Sequence, residues 1–557
     1  MPSSRPLPPP TPIRSESAPL LTPSRSRPGS RHSSRPTSPT TARRHNTPSR
    51  RKSSSPPVHV LPAVVAVTLF ALIALTAWDV SRGCSLPWLC DALGGPRESF
   101  DKVWWRNTGP YAAYRSLGHG GGGHGLPEGC RVDQVSILHR HTGRYPTPNA
   151  AEHLKATLAK LANRTVRVPT NHPDLHFLHN VDLELNDWIP GELTNQGRLA
   201  AWDSGKVYAE RYRAVSDAAP FVRSSGGHRV VGSAQFFLEG FYGREFNLSH
   251  AALEPDVVIP EGEGVNNTLS VHSCAAFEAL DPPAGSKQRA EVAQLLQPTA
   301  DRLNRLLGPR PELGPEDVRR IADMCGYDTT ARDTWSGWSK WCKMLSRDEW
   351  EIAGYMGDVE RWYRVGEGGR FGKIMGAGYV NELLARLQDT HPSDDTTTNR
   401  TLDADPATFP PGGQRVFVDF THDNEMIEIL TALGIRKMRR KLPTSELPDD
   451  PTNRRYVLSE LIPFGARWAF ERVSCDPYVD VGRGTPVAKA RRIGEDDARR
   501  STFVRALIND RPARIDHMAC RSSPLAQYHL CDLDSFIESQ EWSITDVDWH
   551  DCRVKKK

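Results

Sequence analysis

The 557-residue chain lacks three signatures. It has no GxxxxGK[ST] run, which excludes a nucleotide-cradling phosphate loop of that type. It has no internal repeat, which removes a repeat architecture. Its cysteines show no paired CxxC spacing, so zinc knuckles are not the reading. No cysteine precedes Cys84, and residues 1–59 hold a single acid, Glu16. That segment is rich in Ser, Pro, Thr and Arg and nearly free of large apolar side chains. It cannot bury enough surface to offset its ordering entropy and reads as a disordered tail. No basic stripe interleaved with aromatics marks the remainder, so nucleic acid is not the expected partner.

What is present divides sharply by charge. Residues 1–59 carry 11 Lys and Arg, whereas the whole chain has 71 basic and 67 acidic residues. The net charge of +4 therefore belongs to the tail, and the rest is mildly acidic. Hydrophobic residues make up 38% and charged residues 25%, enough to bury a core in a chain long enough for more than one packed unit.

Val60 to Trp78 is an uncharged apolar run bounded by His59 and Asp79. About 20 helical residues span a hydrocarbon core, so its length suffices for a transmembrane helix. Arg50, Arg51 and Lys52 precede it, and the positive-inside rule places the tail in the cytosol. A cleaved signal peptide would need an n-region far beyond the usual length, so a signal-anchor is expected. The lipid bilayer is then a partner through residues 60–78. The rest of the chain is then expected to be extracellular or in the secretory lumen, as in a single-pass type II membrane protein.

Ten cysteines, all from Cys84 to Cys552, suit a disulfide framework. Four N-x-S/T sequons, at Asn163, Asn247, Asn266 and Asn399, fall in the same part and point the same way. The glycine run 118–125 reads as linker, and its two histidines have no rigid frame to bind metal. Residues 79–129 are expected to form a stalk and extension, and 554–557 a basic C-terminal tail.

From Cys130 strand-like and helix-like segments alternate. Val132–Leu138, Ala219–Val222 and Val416–Phe420 read as strands; Ala150–Ala162 and Met426–Leu433 read as helices. Such alternation predicts an α/β sheet with helices on its faces. Residues 250–400 are poorer in strands and suggest an inserted, mostly helical subdomain.

Three strand candidates run into unusual clusters: Arg140-His141-Thr142-Gly143-Arg144, Arg223-Ser224-Ser225-Gly226 and His422-Asp423-Asn424. Sheets of this kind present reactive groups at strand carboxyl ends. Guanidinium forks hold the oxygens of a phosphomonoester, and an imidazole can take the phosphoryl group covalently. A carboxylic acid can protonate the leaving alkoxide. The set suits phosphomonoester hydrolysis.

The stretch Ile137–Thr147 resembles the R-H-G-x-R-x-P signature of histidine acid phosphatases, and Asp419–Asn424 resembles the HD motif in its fungal phytase form. Pro220–Gly226 is similar to the segment bearing the third phosphate-binding arginine. Asn381–Leu383, Pro463–Arg467 and Val504–Arg511 resemble phytases outside the site. The resemblance covers residues 100–553. It implies a phosphoglycerate-mutase-like (histidine phosphatase) α/β sandwich over 130–553, carrying the helical insertion. It implies His141 as nucleophile and Asp423 as proton donor, with Arg140, Arg144, Arg223 and His422 holding phosphate. It implies disulfides Cys130–Cys475, Cys274–Cys552, Cys325–Cys342, Cys520–Cys531 and, with a spacing that departs from the family, Cys84–Cys90. No metal or other cofactor is implied, and a phosphomonoester such as inositol hexakisphosphate is the implied substrate.

Two positions depart from the pattern. Thr142 stands where the family has glycine directly after the nucleophile, and its side chain is expected beside the phosphate. Trp105–Tyr111 resembles a substrate-lining segment but differs in its polar residues. These departures keep two alternatives open: a broad acid phosphatase with little phytate preference, and a catalytically silent surface protein that captures anions. The basic run Arg436–Lys441 reads as a solvated loop, or else as a rim for a highly anionic substrate.

Overall fold

A computed structural model describes residues 100–553, apart from 119–124, 163–165, 182–184, 186, 216–218, 263, 271, 273, 309–311, 333–336, 439, 451–453 and 477–500. The tail, the expected anchor at 60–78, the Cys84–Cys90 pair, Asn163 and residues 554–557 lie outside the described residues. Among the described residues no helix is long and apolar enough to cross a membrane.

The core is one mixed sheet. In chain order its strands are β1 (Cys130–Arg140), β2 (Phe221–Ser225), β3 (Val257–Ile259), β4 (Val416–Thr421), β5 (Arg467–Cys475), β6 (Ser501–Ile508), β7 (Arg511–Ala513) and β8 (Cys531–Asp532). Their order is β3-β2-β4-β1-β5-β6-β7, with β8 paired to β6. β3, β2, β4 and β1 run parallel; β5, β6, β7 and β8 pair antiparallel. The three strands expected from sequence are therefore neighbours, and their carboxyl ends meet at one edge.

Strand alternation sorts the side chains onto two faces. Val135, Ile137, Val222, Val418 and Phe420 face helices Asn195–Arg211 and His228–Phe241, where Tyr208, Val230, Ala234 and Phe237 complete a buried cluster. Leu138, Phe221, Phe417, Trp468 and Phe470 belong to the larger core, with Tyr379 and Leu383 of helix Ala377–Leu387 and Met426, Ile427 and Leu430 of helix Asp423–Leu433. Helix Pro148–Leu161 buries Leu154, Leu158 and Leu161, the face its spacing predicts.

The long helices of the middle stretch are Gln297–Leu307, Pro315–Ala331, Arg347–Arg364 and Ala377–Leu387. Gly314 and Pro315 open the second, and Ser346 with Glu349 forms a capping box on the third. Among the described residues, four disulfides join Cys130–Cys475, Cys274–Cys552, Cys325–Cys342 and Cys520–Cys531. The first ties β1 to β5 at a register pair.

Candidate active site

β1 and β4 end side by side, with Arg140 opposite Thr421. One residue further, the His141 N–H donates to the Thr421 carbonyl at 3.0 Å, so the ladder continues into the catalytic loop. That register sets His141 beside His422, the residue that caps helix Asp423–Leu433; the ring centroids are 5.6 Å apart.

His141 is buried, and its Nδ1 lies 2.9 Å from the Thr142 carbonyl. A carbonyl only accepts, so Nδ1 carries the proton and Nε2 keeps its lone pair. Burial, then the positive charges of Arg140, Arg144 and Arg229, hold its pKa well below the ordinary imidazole value. The ring therefore stays neutral in mild acid.

Arg140 is fully buried. Its Nη1 donates to the carbonyls of Pro110 and, at 2.6 Å, Ile462. Its Nη2 lies 3.5 Å from Asp423 Oδ2. The Phe464 ring sits 4.7 Å from its Cζ. Burial lowers its pKa to about 10, still far above any acid working range. Arg144 is fixed by Nη1 donating to the Tyr145 carbonyl at 2.9 Å and by the Tyr327 hydroxyl at 3.4 Å. Tyr111 of the upstream segment packs on Tyr327 at 4.3 Å and the Pro110 carbonyl accepts from Arg140, so the end of that segment reaches the site.

The third arginine is not the one expected. Arg223 does not face His141: its Nε meets Asp419 Oδ1 at 2.7 Å and its Nη2 meets Glu382 Oε2 at 2.5 Å. Arg386 completes this buried network by holding Asp419 at 2.5 Å. The reason is strand geometry. β2 starts at Phe221 and runs through Ser225, so Arg223 is mid-strand, in register with Asp419 of β4, and not at the strand end. Gly226 and Gly227 end the strand, and Arg229 follows in the first turn of helix His228–Phe241.

Arg229 enters the site instead, with Nη2 donating to His422 Nδ1 at 3.2 Å. His422 Nε2 in turn donates to Glu261 Oε1 at 2.7 Å. Ser225 Oγ and the Gly227 N–H donate to the same oxygen, at 2.7 and 2.9 Å. A Cβ on Gly227 would stand 3.0 Å from that oxygen, so glycine permits the contact. Against its burial, these hydrogen bonds hold Glu261 ionised, with a pKa of about 2; burial pushes His422 down, toward neutral.

Asp423 opens helix Asp423–Leu433, where the helix dipole favours a carboxylate. Arg361 of helix Arg347–Arg364 reaches its Oδ2 at 3.1 Å. Against burial, Arg140 and Arg361 hold the Asp423 pKa well below the usual carboxylate range. Sequence reasoning missed Arg229, Arg361 and Glu261. The glycine pair ending β2 was the available signal for Arg229; Arg361 and Glu261 lie in stretches far from the motifs.

Thr142 is accommodated without backbone strain, since its φ is not positive. Its N–H donates to Ser233 Oγ at 3.0 Å, and its hydroxyl lies 3.2 Å from the same oxygen. Its methyl group faces Gly465, where an added Cβ would come within 3.3 Å and where φ is +70°. The hydroxyl is thus directed at helix His228–Phe241. Among the described residues, no group of three or more His, Cys, Asp or Glu is arranged to hold a metal ion.

The most telling feature is what the guanidinium groups leave unpaired. Nε and Nη2 of Arg140, Nε of Arg144 and Nε of Arg229 are buried without a hydrogen bond. Buried donors cost free energy unless satisfied, and the convergence of these three guanidinium groups on the His141 imidazole marks a place for an oxyanion.

Comparison with known proteins points to the same chemistry. The profile of the histidine phosphatase superfamily (branch 2) matches residues 131–509. Phytase A of Arthroderma benhamiae is 31% identical over 496 residues, 88% of this chain and 98% of that protein. Phytase A of Penicillium oxalicum is 32% identical over 482 residues, 84% and 95% of the two chains. The crystal structure of the D. castellii phytase shares the fold with a TM-score of 0.58 at 20% identity, over 81% of this chain and 87% of that one.

Proposed function

The chain belongs to branch 2 of the histidine phosphatase superfamily, and from that premise we propose that it hydrolyses phosphomonoesters through a phosphohistidine on His141, with inositol hexakisphosphate as substrate. The unpaired guanidinium donors around His141 carry this reading. They fit the three peripheral oxygens of a phosphoryl group.

Arg140, Arg144 and Arg229 bind those oxygens, and His141 Nε2 attacks phosphorus in line. The N–P bond forms as the P–O ester bond breaks, and Asp423 gives its proton to the departing alkoxide. Water then attacks the phosphohistidine, Asp423 takes the water's proton, and orthophosphate leaves with His141 restored. Asp423 must be protonated for the first step, yet Arg140 and Arg361 hold its pKa well below the usual carboxylate range. A bound phosphate dianion neutralises those arginines and adds negative charge beside the carboxylate. Both effects raise its pKa in the complex and favour turnover in acid.

His422, expected to hold phosphate itself, has both ring nitrogens engaged, Nε2 by Glu261 and Nδ1 by Arg229, and so positions Arg229 instead. Arg361 adds a cation at Asp423. The relatives named Phytase A support this substrate. Assays of phytate and p-nitrophenyl phosphate from about pH 3 to 7 test it. A rate on phytate far below that on p-nitrophenyl phosphate favours the broad phosphatase, and anion binding without turnover favours the silent protein.

The proposal extends to location: residues 60–78 anchor the chain, with the body in the secretory lumen or outside the cell. The disulfides support it, as do the exposed sequon residues Asn247 and Asn266. Asn399 is half-buried and caps helix Arg400–Asp403 through its side-chain oxygen. Loss of mass on glycosidase treatment of membrane-associated protein tests this; an unglycosylated soluble product contradicts it.

A further inference from the structure

Helix Asp423–Leu433 carries Asp423 at one end, and about 15 Å along it, at 1.5 Å per residue, begins the basic run at Arg436. The run therefore starts beyond the end of the helix opposite Asp423. The run joins a groove of about 370 Å³ walled by Arg106, Arg436, Arg454, Arg455, Arg511 and Arg514.

The arginines come from four separate segments of chain, unlike the consecutive charges of a solvated loop. Arg454 is spent structurally, on Asp358 at 2.8 Å and Glu351 at 3.0 Å. Glu460 is the carboxylate in the groove wall, approached by Arg106 at 2.5 Å, Arg511 at 3.2 Å and Arg436 at 3.7 Å. An adjoining cavity of about 510 Å³ shares Arg455 and Arg514 and adds Lys437, Arg521 and Asp516. Arg455 and Arg521 divide Asp516 between them, at 3.8 and 3.1 Å. Seven cations, Arg454 aside, thus face two carboxylates.

Three of these cations are placed by the fold itself. Arg511 lies on β7, Arg106 on helix Phe100–Asn107, and Arg436 follows the Gly434 helix stop with its own φ at +57°. Burial, then the like charge of Arg511, lowers the Arg436 pKa to about 10. A fixed set of mutually repelling guanidinium forks is stabilised by a multiply charged anion with planar oxygen triads. A single orthophosphate satisfies two or three forks; the two adjoining cavities span more.

We propose that this arginine groove is a second, non-catalytic binding site for a small molecule bearing several phosphate groups. Free inositol polyphosphate and a phosphoinositide lipid headgroup share this chemistry, and the test separates them.

The test is titration calorimetry of the full chain with myo-inositol hexakissulfate, a polyanion without phosphoester bonds. Two sites per chain are expected. Arg455→Gln/Arg511→Gln/Arg514→Gln should weaken one of them at least tenfold while kcat on p-nitrophenyl phosphate stays within twofold. Arg514→Glu alone, at an exposed position, should weaken the same site. Arg144→Gln, which damages the catalytic pocket, should leave it intact, so failure of the catalytic reading does not carry over. A single site that Arg144→Gln abolishes and the triple variant spares overturns the proposal. Binding to vesicles containing phosphatidylinositol bisphosphate that the triple variant loses, without binding of the soluble polyanion, assigns the groove to the lipid headgroup; binding of neither overturns the proposal.

Discussion

Arg229 donates through Nη2 to Nδ1 of His422 at 3.2 Å, and that contact places the third guanidinium of the phosphate pocket. Because His422 Nε2 donates to Glu261, the acceptor at Nδ1 is fixed, and Arg229 is aimed by a two-link chain of hydrogen bonds. Arg223, six residues earlier, lies in a buried acidic network.

The two arginines should therefore fail differently. Arg229→Gln is expected to lower kcat/KM by about 10²–10³, the typical loss of one transition-state donor, with thermal unfolding unchanged. Arg223→Gln leaves the buried Glu382 without its guanidinium partner and Asp419 with Arg386 alone, and should cost about 3–5 kcal/mol of stability. Parallel kinetics and urea unfolding check both. A stable, inactive Arg223→Gln would reverse the assignment.

Asp423→Asn removes the proton for the leaving group. Expected is a fall in kcat of about 10²–10⁴ on alkyl esters such as phytate. On p-nitrophenyl phosphate, whose phenolate departs without a proton, the first burst of phenolate should be slowed much less, while the hydrolysis of the phosphohistidine that follows, which Asp423 also assists, still slows turnover. Equal losses in the rate of phosphohistidine formation on both substrates would mean Asp423 acts on the phosphoryl group rather than on the leaving oxygen.

Thr142→Gly restores the residue usual in the family. It removes the hydroxyl contact with Ser233 and frees the backbone, so a loss of about 1–2 kcal/mol is expected. Turnover should change less than threefold, because the threonine side chain is directed at Ser233. A tenfold gain in kcat would show that the methyl group obstructs substrate.

Stability against pH follows from buried groups shifted in opposite senses. Burial lowers His139 from 6.5 to about 3, so its stabilising contribution is full above pH 6.5 and is lost as pH falls toward 3. Burial raises Asp403 from 3.8 to about 8, so its contribution is full below pH 3.8 and is lost as pH rises toward 8. The two slopes oppose each other between pH 3.8 and 6.5. Buried His141 and His422 add to the first slope; Glu425 and Glu428, raised chiefly by burial, add to the second. Urea midpoints should form a plateau in that window and fall on both sides, by about 1.4 kcal/mol per pH unit for each net proton. Asp403→Asn should flatten the alkaline fall, and a midpoint still climbing at pH 8 would contradict the shifts.

Much of this was legible in the sequence, and the reasons are local. β1 and β4 announce themselves by short apolar runs, and their clusters sit where a parallel sheet ends. The disulfides followed from the family resemblance rather than from spacing. Arg223 was misread because a strand end cannot be located to within two or three residues by pattern alone. That shift moves a side chain from the mouth of the sheet into its interior. Arg361 and Glu261 were illegible because tertiary packing alone brings helix Arg347–Arg364 and the residues after β3 to the site. The Arg436–Lys441 run was visible, but its partners Arg106, Arg455 and Arg511 meet it only in the fold.

The central claim is a covalent phosphohistidine at His141. Rapid mixing with substrate, an alkaline quench that preserves phosphoramidates, and peptide mass spectrometry test it directly. The account predicts one phosphoryl group on the peptide containing His141, formed before steady state, accumulated in Asp423→Asn with p-nitrophenyl phosphate, and absent in His141→Ala. Phosphate on any other side chain, or turnover that survives His141→Ala, would contradict it.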